Sequence, residues 1–99
     1  MSTEQTSTKT TTTVAYPDRF SVIIFNDDFT PMDFVIQLLI EIFNRNLDEA
    51  KDITLTIHEK GQAIAGTYMH ELAEQKLSEA IMTTRTQGHP LKITMEKMT

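Results

Sequence analysis

Hydrophobic residues in this chain fall into blocks of different period. Arg19–Phe25 (RFSVIIF) is a β-branched and aromatic run, which predicts a strand. It is apolar on both sides, so it is expected to be central and covered on both faces. Asn26-Asp27-Asp28, a cluster of turn formers, ends it. Thr30-Pro31-Met32-Asp33 reads as a helix start, with Thr30 as the N-cap and Pro31 in the first turn. Phe34, Val35, Leu38, Leu39, Ile42 and Phe43 then form a wide apolar stripe, carrying this helix to about Asn44. Asn46 opens a second helix with acids in its first turn, and Gly61 is its left-handed cap candidate. Ala50, Ile53, Thr54 and Ile57 give that helix its inward face, and His58 falls in its last turn. Gln62–Tyr68 reads as a second strand. Glu71 to about Arg85 reads as a third helix with Leu72, Ala73, Leu77, Ala80 and Ile81 inward. After the Gly88-His89-Pro90 loop, Leu91–Lys97 alternates strictly, as a half-exposed strand does. The order is β-α-α-β-α-β. It predicts a small α+β sandwich: a three-stranded, mainly antiparallel sheet with three helices on one face.

Composition narrows the classes. The chain has 99 residues, enough for one domain whose folding buries about 60–68% of its unfolded surface. Seven of the first thirteen residues are Thr and two are Ser, so residues 1–15 are expected to form a disordered extension ahead of a core domain at 16–99. The longest apolar run, Val22–Phe25, is far too short for a membrane span. There is no Cys, which removes disulfides, thiolate metal sites and Cys nucleophiles. A net charge of −5 argues against nucleic acid as a partner. The first residues carry no apolar h-region and no Arg, so neither a secretory signal nor a transit peptide is expected. A soluble intracellular protein is the resulting expectation.

Few polar residues are surplus to folding. Asn26, Asp27 and Asp28 follow the first strand, and His58 ends a helix. An amide oxygen, a carboxylate and a neutral imidazole nitrogen are all acceptors. Together they suit a small cation with three N–H donors, such as a free peptide α-amino group. Plainer readings compete: an Asn-Asp-Asp turn, and a His that complements a helix dipole. An enzyme reading competes as well, with Asp27, Asp28 and His58 binding a divalent metal or serving acid–base catalysis. No H-E-x-x-H, no regular calcium loop and no Gly-rich phosphate cradle supports it. His70 and His89 sit in a helix start and a loop.

The string Asn26-Asp27-Asp28-Phe29-Thr30-Pro31-Met32-Asp33-Phe34-Val35, followed by Ile57-His58, Gly61, Ala65-Gly66, Glu71-Leu72-Ala73-Glu74-Gln75-Lys76 and His89-Pro90-Leu91, resembles the ClpS family. These are the adaptors of the N-end rule (N-degron) pathway, and the resemblance runs from about Tyr16 to Lys97. It implies a monomeric adaptor without catalytic activity, cofactor or metal, of the bacterial cytoplasm in preference to the plastid stroma. Its substrates would be proteins with a free α-amino group and Leu, Phe, Tyr or Trp in first place. Its partner would be the AAA+ unfoldase ClpA or ClpC, which feeds ClpP. By position, Asn26 and His58 would hold the α-amino group, with Asp27 and Asp28 adding charge or water-mediated contacts. Thr30, Met32, Val35, Ile57 and Leu91 would line a hydrophobic pocket, with Met32 excluding β-branched first residues. Glu71, Glu74 and Lys76 would dock on the unfoldase, and the Thr-rich extension would engage its pore. Thr54 stands in the pocket wall where the family usually has Met, which changes the pocket's depth. Met69-His70 replaces a frequent Thr cap, and Ala65-Gly66 replaces a common Cys-Gly. A plain interaction domain like the C-terminal domain of ribosomal protein L7/L12 shares the expected shape, but it lacks the NDD-x-TPM string and the His.

Overall fold

A computed structural model of the protein describes residues 18–98. The extension expected over residues 1–15 lies outside them, as do Tyr16 and Pro17. Three strands and three helices alternate as β1 (Arg19–Phe25), α1 (Met32–Glu41), α2 (Leu47–Lys60), β2 (Gln62–Met69), α3 (His70–Thr86) and β3 (Ile93–Lys97). The sheet order is β2-β1-β3, and both pairings are antiparallel. This is the α+β sandwich expected from the pattern of the chain.

Strand β1 is central, and its period-two alternation divides its side chains. Val22 and Ile24 join one cluster with Val35, Leu38 and Leu39 of α1, Ala50 and Ile57 of α2, and Ala73 and Ala80 of α3. All three helices therefore pack against the same face of the sheet. Ser21 and Ile23 point to the other face, between Thr67 and Ile64 on β2 and Glu96 and Thr94 on β3. Ser21 and Ile23 are buried on this face too, as expected of a central, covered strand, while Ile64 beside them on β2 is 50% exposed. The β1–β2 register shifts between Val22 and Ile23, where Ala65 is the extra residue. Beside it, a Cβ on Gly66 would collide with the Tyr68 ring and hydroxyl, so a side chain there would require the Tyr68 ring to move. Tyr68 lies over this spot. Burial raises its pKa above the ordinary value, and the Arg45 charge partly opposes that shift.

Some boundaries differ from the sequence reading. Helix α1 starts one residue late, with Pro31 rather than Thr30 at the N-cap and no side-chain cap. The Thr30 hydroxyl is instead spent on Asp27. The helix stops at Glu41 rather than Asn44, because Asn44 adopts a left-handed φ of 58°. Strand β3 starts at Ile93, two residues late, since Leu91 is drawn into the interior. Leu72 is 44% exposed rather than inward, because it lies one residue off the stripe formed by Ala73, Leu77, Ala80 and Thr84. Helix α2 matches its signals. Asn46 and Glu49 form a reciprocal capping box, and Gly61 closes the helix at φ 90°.

Candidate functional site

Two backbone hydrogen bonds join the ends of elements that are distant in sequence. Phe25 N–H donates to the Lys92 carbonyl at 3.0 Å, which fixes the approach to β3 beside the exit of β1. Asn26 N–H donates to the Gly61 carbonyl at 2.8 Å. The second bond ties the turn carrying Asn26 to the C-terminus of α2, where His58 sits in the last turn. The left-handed conformation of Gly61 turns that carbonyl out of the helix direction. A helix cap thus brings together two residues 32 positions apart.

The turn after β1 is organised by Asp27. Its Oδ2 accepts from the Phe29 N–H at 3.2 Å and from the Thr30 hydroxyl. This is the usual way an Asp side chain shapes a turn. One carboxylate oxygen is therefore engaged within the turn. Asp28 and Asn26 remain exposed.

Ten residues enclose a cavity of about 210 Å³: Asn26, Asp27, Asp28, Thr30, Met32, Val35, Thr54, Ile57, His58 and Leu91. They come from the β1 exit turn, the start of α1, the second half of α2 and the loop before β3. Burial sorts them. Thr30, Val35, Thr54, Ile57 and Leu91 are buried and form the floor. Asn26, Asp28 and His58 are exposed, as is Met32 at 47%, and together these form the rim. The lining includes two carboxylates and no Lys or Arg. An apolar floor under an acceptor-rich, anionic rim suits a ligand with a cationic donor at one end and a greasy group beside it.

Asp27, Asp28 and His58, the residues of the enzyme reading, border the same cavity. Among the described residues no group of three or more His, Cys, Asp or Glu side chains is placed to hold a metal ion. No described helix is long and apolar enough to cross a membrane. The other sequence-derived group lies away from the cavity, on α3. Glu71 and Glu74 are exposed there. Lys76 is turned inward, donating to the Ile42 carbonyl at 2.6 Å and to Asn44 Oδ1 at 3.0 Å. Its ammonium thus closes the C-terminal end of α1. Sequence reasoning missed the apolar surroundings of Glu71: Phe20, Met69 and Leu72 border a shallow depression with it. The exposed Met at the end of β2 is the signal that could have pointed there.

Comparison with known proteins agrees with this architecture. Residues 15–94 match the family model for the ATP-dependent Clp protease adaptor protein ClpS. The ATP-dependent Clp protease adapter protein ClpS of Desulforapulum autotrophicum is 44% identical over 94 residues, 95% of this chain and 90% of that protein. Its counterpart from Xanthomonas oryzae pv. oryzae is 44% identical over 84 residues, 85% of this chain and 79% of that protein. Among solved structures, Agrobacterium tumefaciens ClpS2 bound to L-phenylalaninamide superposes with a TM-score of 0.80. It is 31% identical, and the match covers 84% of this chain and all of that one. With the family model spanning most of the chain, and with identity, order of elements and fold in agreement, this protein belongs to the ClpS family of Clp protease adaptors.

Proposed function

We propose that this protein captures chains by a free, protonated N-terminus followed by a bulky hydrophobic first residue, Leu, Phe, Tyr or Trp. It then delivers them to a ClpA- or ClpC-type unfoldase for degradation by ClpP. It acts as a monomer in the cytoplasm and carries out no covalent chemistry. The observation that supports this reading is the cavity's division into an acceptor-rich rim and a buried apolar floor. Asn26 and His58 accept from the α-amino group, and Asp27 and Asp28 add negative charge. Thr30, Met32, Val35, Thr54, Ile57 and Leu91 surround the first side chain, with Met32 at the mouth. That the related ClpS2 was solved with L-phenylalaninamide, a small molecule with a free amine and an aromatic side chain, is consistent with this. On α3, Glu71 and Glu74 face the unfoldase. Lys76 contributes chiefly by holding α1 and α3 together.

Two contributions set the selectivity. Removing a Leu or Phe side chain from water stabilises the complex by roughly 1.5–3 kcal/mol. Hydrogen bonds from an ammonium are about twice as strong as neutral ones. An acetylated terminus loses both the charge and two donors and leaves the rim acceptors unpaired, at about 1–3 kcal/mol each. Titration with peptides differing only at the first residue tests this. Peptides beginning with Leu or Phe bind, whereas the same sequences with an acetyl cap or a leading Met do not. Equal binding of capped and free peptides rules the function out.

A further inference from the structure

Thr54 lies deep in the cavity floor, 3% exposed, and its hydroxyl finds no hydrogen-bond partner among the described residues. A helical Thr normally settles its hydroxyl on the carbonyl four residues back. Thr56, two residues later on the same helix, does so, donating to the Asp52 carbonyl at 3.0 Å. Two other buried hydroxyls, on Thr84 and Thr94, also lack a partner, but neither borders the cavity. The other hydroxyl of the floor, on Thr30, already donates to Asp27. Thr54 therefore sets an unpaired hydroxyl, its oxygen without accessible surface, in the wall directly behind the cavity floor.

Its position says what could use them. Thr54 precedes His58 by one helical turn, about 6 Å along the axis at the usual rise per residue. A first residue held by its amine at the His58 rim sends its side chain down past Ile57 towards Thr54. A group on the far end of an aromatic ring travels deepest. We infer that Thr54 makes this pocket selective for a first residue with a hydroxyl at the ring's far end, favouring Tyr over Phe. The inference rests on the proposed capture of free N-termini and narrows its substrate class. A Phe ring leaves the Thr54 hydroxyl unpaired, whereas a turn about the Thr54 Cα–Cβ bond, exchanging its methyl and hydroxyl, lets it share one hydrogen bond with a Tyr phenol. The difference is one net hydrogen bond, about a three- to tenfold tighter affinity for Tyr.

The test uses the full chain and free-amine peptides identical except for Tyr, Phe or p-fluorophenylalanine in first place, each also prepared acetylated. The wild-type protein binds the Tyr peptide about three- to tenfold more tightly than the other two free-amine peptides. In T54V, which keeps the shape and loses the hydroxyl, this ratio collapses to one or inverts. T54S, which keeps the hydroxyl, retains it. Tyr binding no better than Phe and p-fluorophenylalanine to the wild type overturns the inference, and that result does not depend on how the variants fold. An unchanged ratio in T54V overturns it as well. In both cases binding of free-amine peptides over acetylated ones leaves the proposed function standing. Loss of that amine dependence in the wild type instead removes the proposed function, and the inference with it.

Discussion

At the scale of single residues, the proposed function divides the rim into groups that serve only the ligand and groups that also serve the fold. His58 is exposed at the end of α2, outside the core cluster. H58A is expected to weaken binding of a free-amine Leu or Phe peptide about tenfold or more, the loss of one charge-assisted hydrogen bond. The melting temperature should move by no more than a few degrees. A protein that melts early instead would mean that His58 is structural. Asp27 and Asp28 are adjacent and chemically identical, yet they differ here. Asp27 accepts from the Phe29 N–H and from the Thr30 hydroxyl, whereas Asp28 is exposed. D27A leaves the buried Thr30 hydroxyl unpaired, so it should lower stability by about 1–3 kcal/mol as well as weakening binding. D28A should reduce peptide affinity only, and more so at low salt, because its charge is solvated and screened. Paired thermal melts and titrations separate the two; identical behaviour of both variants contradicts this assignment.

At the scale of elements, one helix cap does the positioning. Gly61 ends α2 with φ 90°, and its carbonyl receives the Asn26 N–H. Nothing lies within 4 Å of where its Cβ would be, so G61A meets no clash. Its cost comes from the left-handed backbone alone, about 1–2 kcal/mol. Peptide affinity should fall as well, since the Asn26–His58 spacing is set through this residue. Full affinity in a destabilised G61A would show that the cap and the site are independent. Much of this level was legible in the chain. The capping box at Asn46 and Glu49, the Gly61 stop and the β-branched run of β1 are local signals, and the structure follows them. What was not legible depends on tertiary partners. Thr30 has the composition of an N-cap, but its hydroxyl goes to Asp27, a choice made by the turn rather than by the helix. Leu91 reads as the first residue of an alternating strand, but the cavity floor claims it. Lys76 reads as a surface cation, but it is drawn to the end of α1. The site residues could be picked out by motif and family resemblance. Their meeting in one cavity could not, because it depends on the Asn26–Gly61 bond and on both helices packing on the same face of the sheet.

At the scale of the whole molecule, the proposed function assigns capture and delivery to different parts of the chain. All ten cavity residues lie between Asn26 and Leu91, and the buried core cluster begins at Val22. Near the start of the described residues, Asp18 pairs with Lys97 at 3.1 Å, but both side chains are well exposed. Such a pair contributes at most about 1 kcal/mol. The Thr-rich stretch over residues 1–15 carries no apolar residue between Met1 and Val14. It therefore has little with which to strengthen an apolar floor or a core. Under the proposed function its part is to engage the unfoldase after capture. Deleting residues 1–15 should leave peptide affinity within about twofold, and the melting temperature within a few degrees, of the intact chain. Degradation of a reporter with a free Leu or Phe terminus by the unfoldase and its protease should slow severely, while the reporter still binds. Fluorescence anisotropy on one labelled peptide and the reporter's decay, measured on both chain lengths, separate the two steps. A fall in affinity would make the stretch part of the binding site. Undiminished decay would mean that the folded core delivers its cargo alone, through the exposed face of α3.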